Sequence, residues 1–389
     1  MSSSFFANYL QDLFVALFIA AAQILGAFLI LRGPASQASA VVRERIVFVT
    51  RLSVALLVGD HVLLYEPLAR HLPRLWTGWA RGMVLLWGVL SLVWLAVYGL
   101  TWLIGGEPAS HSPARRRFLK LTQAVLCGAP VAAAGYGIFI QRFRLSLREQ
   151  KIDVPNLPDA LHGMRLVQLT DIHMGPFLGA PEVARAVAMA NETNAHVALV
   201  TGDLISGPGD PLDACIESLS HLRAQLGIYG CLGNHERFAE AEDYTQAQGA
   251  RFGLRFLRHE AVKLNYAGTH VNLAGVDYQR FNRPYLTRAE ELVDPAAFNM
   301  LLSHNPDVFP VAARKGFPVT ISGHTHGGQV RFEILQQDLN VARFYTQYVD
   351  GLYRQGGSSI FVSRGIGTIG LPARLGSPPE VALITLCRT

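Results

Sequence analysis

The residues best suited to chemistry in this chain are imidazoles and carboxylates set beside glycines. The segment Ser322-Gly323-His324-Thr325-His326-Gly327-Gly328-Gln329 holds two histidines two positions apart, directly after the apolar run at 317–321. On an extended backbone, residues i and i+2 project to the same side, so both imidazoles reach a common point, which suits a metal ion. The flanking glycines allow a sharp turn and a close approach to a ligand. Four pieces of similar character stand upstream: Thr170-Asp171-Ile172-His173, Thr201-Gly202-Asp203, Gly233-Asn234-His235-Glu236 and His304-Asn305-Pro306. Each has an ordinary reading on its own, a polar turn or a hydrogen-bonded core histidine. Together they offer carboxylate, amide and imidazole donors that favour two divalent cations of the Mn, Fe or Zn kind, with one carboxylate able to bridge them.

The elements that must position these groups are short apolar strands. Runs at 164–169, 196–200, 227–232, 299–303 and 317–321 each end where one of the five pieces begins. Helical patterns at 181–190, 212–226, 244–252 and 306–315 separate them; Pro181 suits a first helical turn, and Val183 and Val187 recur at helical spacing. Residues 262–276 read as a hairpin about Ala267-Gly268-Thr269, and runs at 360–363 and 381–386 complete the strands. Strands alternating with helices predict stacked α and β layers, an α/β (α+β) class. The C-terminal ends of neighbouring parallel strands converge on a crevice where ligands bind.

In this order and spacing, Asp171-x-His173, Gly202-Asp203, Gly233-Asn234-His235-Glu236, His304 and Gly323-His324-Thr325-His326 resemble the signature of the calcineurin-like metallophosphoesterases. The resemblance covers roughly residues 160 to 389, and it implies a four-layer αββα sandwich of two mixed sheets. Ser363-Arg364-Gly365-Ile366-Gly367, with Leu371-Pro372-Ala373-Arg374 and Pro379-Glu380, is similar to the membrane-associated bacterial branch. Carried over residue by residue, the family pattern gives one metal Asp171, His173 and His326, and the other Asn234, His304 and His324, with Asp203 bridging both. A bridging hydroxide is the expected nucleophile, since bound metals lower the pKa of water. His235, next to a ligand, is expected to protonate the leaving oxygen or to stabilise charge on it. Arg364 and Arg374 are candidates to hold substrate phosphate through bidentate contacts.

Hydrophobic residues make up 50% of the 389, charged residues only 16%, and mean hydropathy is +0.24. The apolar excess lies in the first third. Residues 14–31, 82–104 and 121–140 are each near the roughly 20-residue length that crosses a bilayer. Residues 46–65 read as a further crossing that contains Arg51, Asp60 and His61. The sequence thus predicts an N-terminal bundle of three or four transmembrane helices over 1–145, a linker over 146–160 and a catalytic domain over 161–389. Just before the last crossing, Arg115-Arg116-Arg117-Phe118-Leu119-Lys120 resembles a twin-arginine export signal, placed internally. Positive charge stays on the cytoplasmic side, so this cluster is inside and the catalytic domain outside, on the periplasmic or extracellular face of the cytoplasmic membrane.

The net charge of +5 lies largely in juxtamembrane arginines and suits anionic headgroups. No basic stripe with interleaved aromatics points to nucleic acid. Cys127, Cys215, Cys231 and Cys387 have no metal-type spacing and read as buried thiols. A tethered, outward-facing site meets lipid-linked or envelope phosphoesters. Phe177, Leu178, Phe281 and Tyr285 are apolar side chains that could receive an acyl chain, or ordinary packing. The alternative reading is a membrane sensor or scaffold whose phosphoesterase domain is vestigial.

Overall fold

A computed structural model of the chain describes residues 3–32, 39–61, 72–105, 113–279, 284–334 and 337–389. The chain falls into two compact units, Met1–Gly137 with Gly370–Pro372, and Ile138–Ile369 with Ala373–Thr389.

The first unit is built on α1 (Ser3–Arg32), α2 (Ala40–Gly59), α3 (Arg74–Gly105) and most of α4 (Pro113–Phe139). Three described segments are long and apolar enough to cross a membrane: Leu13–Arg32, Arg74–Val97 and Leu121–Phe143. The predicted crossing at 46–65 is not among them. α2 ends at Gly59 and carries Arg43, Glu44, Arg45 and Arg51, and residues 62–65 of that crossing lie outside the described residues. Within the unit, helix contacts use polar groups as well as Ile19, Ala20 and Leu57. Trp87 donates its indole N–H to Ser53 Oγ at 2.7 Å, and Trp94 donates to the Cys127 carbonyl at 2.8 Å. Such bonds are favoured where no water competes.

The second unit opens with β1 (Ser146–Val154), β2 (Arg165–Leu169), α5 (Ala180–Glu192), β3 (Val197–Thr201), α6 (Leu212–Leu219) and β4 (Ile228–Cys231). There follow α7 (Asn234–Phe238), α8 (Glu242–Arg251), β5 (Leu254–Phe256), β6 (Glu260–Tyr266), β7 (Thr269–Gly275), β8 (Phe298–Leu302), α9 (Phe309–Arg314) and β9 (Val319–Ser322). The chain closes with β10 (Arg331–Ile334), β11 (Gln337–Asn340), β12 (Gly351–Gln355), β13 (Ser358–Val362) and β14 (Glu380–Arg388). One six-stranded sheet has the order β1-β14-β2-β3-β4-β5, the other β12-β13-β9-β8-β7-β6. Both are mixed: β2 to β5 are parallel while β14 runs antiparallel to β2, and β7 to β9 are parallel while β6 and β12 pair antiparallel at the edges.

Alternation along the strands creates the layers. Leu166 and Leu199 of the first sheet face a core shared with Leu273, Met300, Ile321 and Phe361 of the second. Their neighbours Val167 and Val200 turn the other way, onto Val183 and Val187 of α5 and Ile216 and Leu219 of α6. Beyond the second sheet, Ala274 and Leu301 pack with Ala312 and Phe317 at α9. The expected αββα sandwich of two mixed sheets is the result.

Several local expectations differ. The predicted linker begins with a strand: β1 pairs in parallel with β14, from Ser146 opposite Glu380 to Val154 opposite Arg388. Arg148, Glu149 and Lys151 break its apolar pattern because it is an edge strand, yet Ile152 and Val154 reach the inter-sheet core. The helix predicted over 212–226 stops at Leu219, and that over 306–315 starts as a 3-10 turn, Pro306–Val308. The three-residue β5, the hairpin β10–β11 and β12 carry no apolar run long enough to announce them.

Candidate metal centre

β2, β3 and β4 in one sheet, and β8 and β9 in the other, hand their C-terminal ends to the five polar motifs. The motif side chains converge. His173 Nε2 lies 3.1 Å from His326 Nε2 and 3.6 Å from Asp203 Oδ2. His326 Nε2 is 3.5 Å from Asp171 Oδ1. His304 Nε2 is 3.0 Å from Asp203 Oδ2, 3.9 Å from Asp171 Oδ1 and 3.2 Å from His324 Nδ1. Among the described residues, three sets have ligand atoms within 4.8 Å of one another: Asp171, His173 and His326; His173, Asp203 and His235; Asp203, His304 and His324. His173 and Asp203 each belong to two of them, and the Asp203 carboxylate stands between His173 and His304, 3.6 and 3.0 Å from their Nε2 atoms. Asn234 is buried and its Oδ1 has no hydrogen-bond partner, a costly state unless another group satisfies it.

The same-side argument from extended backbone does not describe how the pairs meet. β9 ends at Ser322, and both His324 (φ +79°) and His326 (φ +52°) are left-handed. Asp171 (+49°), His173 (+49°) and Asp203 (+56°) share that conformation. Proximity comes from strained turns beyond the strand ends. Thirteen described non-glycine residues have positive φ, and five of them are these site residues. Such backbone is unfavourable and persists where its surroundings enforce it, characteristically at functional sites.

What enforces it is a set of buried supports. Asp171 accepts from the His324 amide at both oxygens, at 2.9 and 3.0 Å. The Thr201 carbonyl accepts from His304 Nδ1 at 2.7 Å; a carbonyl only accepts, so Nε2 is the nitrogen left facing the cluster. Ser206 Oγ stands 3.2 Å from His173 Nδ1. Glu236, fully buried, accepts from the amides of Asp203, Leu204 and Gly233 at 2.9, 2.6 and 2.7 Å, and so fastens the Asp203 loop to the Asn234 loop.

Burial sets the protonation. It holds His173 and His324 down to about 3 and His326 well below its ordinary value, so these rings keep their lone pairs at neutral pH. Burial also pushes Asp171 up, to about 6, with the Asp203 charge adding to it. Burial opposes the outcome at Asp203 and His304, but their mutual attraction prevails. Asp203 is held well below the carboxylate range, and His304 rises to about 10. A proton on His304 thus supplies the positive charge that these carboxylates call for, and a divalent cation would displace it. The neutral imidazoles, converging carboxylates and unsatisfied Asn234 oxygen all fit divalent metal ions.

The motif glycines are positions where the loops touch. A Cβ on Gly233 would stand 2.1 Å from Asp203 Oδ1, although its φ of −97° strains no residue. Gly233→Ala is therefore expected to displace the Asp203 carboxylate, removing bound metal and costing about 2 kcal/mol of stability. Metal analysis together with a denaturant melt checks both effects.

Two expected phosphate ligands sit differently from the rest. Arg374 is fully buried, and its guanidinium donates to the carbonyls of Gly367 (2.9 and 2.6 Å), Ser377 (3.1 Å) and Arg364 (2.8 Å). Its Nη2 is also 3.3 Å from His326 Nδ1. It braces the second histidine loop and has no fork to offer a substrate, so the expectation of a bidentate clamp at Arg374 is corrected. Arg364 is partly exposed but pairs with Glu380 at 2.8 Å and approaches Asp350 at 3.5 Å. Phe281 lies outside the described residues.

Sequence reasoning also passed over neighbours of the centre. Tyr278 stands with its ring 5.6 Å from that of His324 and 6.3 Å from that of His304, and burial raises its phenol to about 12. Phe238 packs edge-on to His235 at 5.5 Å. Neither carries a motif. Glu236 had a signal, its place three residues after Gly233, where a helix-start carboxylate reaches back.

Residues 164–328 match the family model described as calcineurin-like phosphoesterase. A metallophosphoesterase of Aquifex aeolicus is 30% identical over 259 residues, covering 64% of this chain and 94% of that one. The chain belongs to the calcineurin-like metallophosphoesterases. YkuE of Bacillus subtilis, a metallophosphoesterase, is 27% identical over 281 residues, covering 71% of this chain and 98% of its own. A Bos taurus transmembrane protein with metallophosphoesterase domain is 29% identical over 315 residues, with 77% and 69% covered. This metallophosphoesterase is a metal-dependent phosphoester hydrolase, associated with a membrane through its apolar N-terminal helices.

Proposed function

We propose that this metallophosphoesterase is anchored in the cytoplasmic membrane, hydrolyses a lipid-linked or envelope-linked phosphoester, and works on its outer face. The observation that carries the two-metal reading is the position of Asp203, one carboxylate between two imidazole clusters. On this reading Asp171, His173 and His326 would hold one divalent ion and Asn234, His304 and His324 the other, with Asp203 shared between the two sets. Bound there, Mn, Fe or Zn supplies Lewis-acid polarisation of the phosphoryl group and activation of water.

The protein's own groups then orient and complete the reaction. His235 gives its Nδ1–H to the Ser206 carbonyl at 2.7 Å, which leaves Nε2 to hand a proton to the leaving oxygen. Its backbone N–H donates to Asp203 Oδ1 at 2.9 Å and keeps that carboxylate turned toward the clusters. The partly exposed Arg364 is the remaining cation for substrate phosphate. We take the membrane region to end near residue 145, with the 115–120 basic motif on the cytoplasmic side.

The test uses the full purified chain, stripped of metal and reloaded with Mn. Turnover should appear with Mn, and a bilayer phospholipid diester should be cleaved faster than 4-nitrophenyl phosphate. Preference for the simple monoester would refute the lipid reading. Protease added to intact cells should remove the catalytic domain; protection until lysis would reverse its placement.

A further inference from the structure

Beyond residue 146, the described large apolar side chains that stand exposed are Leu147, Tyr244, Phe252, Val341, Phe344 and Tyr345. Half of them fall in one short turn. Val341–Phe344 is a 3-10 turn followed by Tyr345, and Val341, Phe344 and Tyr345 are 62%, 87% and 72% exposed. Arg343, also exposed, lies among them. Isolated surface apolar residues are ordinary; three neighbours presented together on a turn mark a contact surface.

The turn is not a loose excursion, because both of its ends are tied to loops of the metal centre. At its start, Asn340 caps the turn by accepting from the Arg343 amide at 3.1 Å. Asn340 also sits against the backbone of Gly328, where an added Cβ would come within 2.7 Å of Asn340 Cβ. Gly328 closes the turn that contains His326. At its end, Thr346 Oγ1 donates to Asp307, three residues after His304. A little further on, the Val349 carbonyl accepts from Thr325 Oγ1, between the two histidines of the motif. The aromatic tip is thus held in fixed relation to His304, His324 and His326.

We propose that residues 341–345 lie in the headgroup layer of a bilayer and present the metal centre to phosphoesters at the membrane surface. Exposed aromatic rings on a protein surface are the side chains that partition to the membrane–water interface, with their apolar faces at the acyl boundary. A bilayer is favoured over a protein partner because it is the apolar phase that this chain's own helices are long and apolar enough to enter. Contact with lipid stands independently of the reaction; only the claim that the substrate is lipid-borne rests on the function proposed above.

The experiment uses the full chain in vesicles of phosphatidylcholine and phosphatidylglycerol. Phe344→Cys is labelled with bimane, and identically treated wild-type protein supplies the background from the native cysteines. A phospholipid bearing a nitroxide near its headgroup should quench the label, and iodide in the water should reach it poorly. In parallel, F344S/Y345S should lower turnover of a bilayer phospholipid by about tenfold while bis(4-nitrophenyl) phosphate turnover stays within about twofold. A label open to iodide and untouched by the nitroxide overturns the proposal, as does one shielded from both, which would indicate a protein partner. If the nitroxide quenches but wild-type protein cleaves only bis(4-nitrophenyl) phosphate, bilayer docking stands and the lipid-substrate reading falls.

Discussion

Asp203→Asn is expected to empty the centre of metal and to lower turnover by about a thousandfold or more, in a protein that still folds. The change is nearly isosteric, so the loop keeps its shape, and an amide oxygen at that position can still accept the His235 N–H. What disappears is the charge shared between two imidazole clusters, 3.0 Å from His304 Nε2 and 3.6 Å from His173 Nε2. Without it His304 loses its nearest carboxylate, and the site loses one of the two negative charges that offset neighbouring cations. Elemental analysis after Mn loading should find metal content falling from about two equivalents toward none. Circular dichroism without metal should match the wild type, while the metal-free thermal midpoint should fall, because the buried His304 loses its carboxylate partner. A variant that retained full metal content would remove Asp203 from the bridging position, whatever its activity.

How much of this could be read in advance differs sharply between elements. The strands that carry the motifs are continuous apolar runs because they are buried on both faces, as Leu166 and Val167 show by facing different cores. That makes β2, β3, β8 and β9 visible without a structure. β1 is hidden because an edge strand tolerates charged residues: Glu149 and Lys151 are exposed, and Arg148 pairs with Asp350 and Glu380. The motifs identify the polar groups of the centre but not how they meet. The left-handed turns at Asp171, His173, His324 and His326 depend on supports distant in sequence, such as the His324 amide at Asp171 and the Thr201 carbonyl at His304. Arg374 shows the opposite failure. An arginine near a glycine-rich loop reads as a phosphate ligand, but only the packed structure reveals that backbone carbonyls surround its guanidinium. Tyr278 carries no local signal because it stands in an irregular segment after β7 and reaches the centre through the fold alone.

The sharpest separation of chemistry from metal holding comes from His235. His235→Ala should keep both metals, since the ring's Nδ1 is spent on the Ser206 carbonyl and its amide contact to Asp203 Oδ1 belongs to the backbone. Turnover of an alkyl phosphodiester, whose leaving oxygen needs a proton, should fall by about a hundredfold to ten-thousandfold. Turnover of bis(4-nitrophenyl) phosphate should fall far less, because 4-nitrophenolate departs without protonation. The ratio of the two losses is the diagnostic quantity. A histidine that merely supported the loop would lower both substrates alike and would take metal content with it. Loss of a histidine acting as the acid steepens the dependence of rate on leaving-group pKa. Equal losses on the two esters with metals retained would transfer the proton-donor role away from His235. Tyr278 would be the next group to test, its phenol raised to about 12 and its ring 5.6 Å from that of His324.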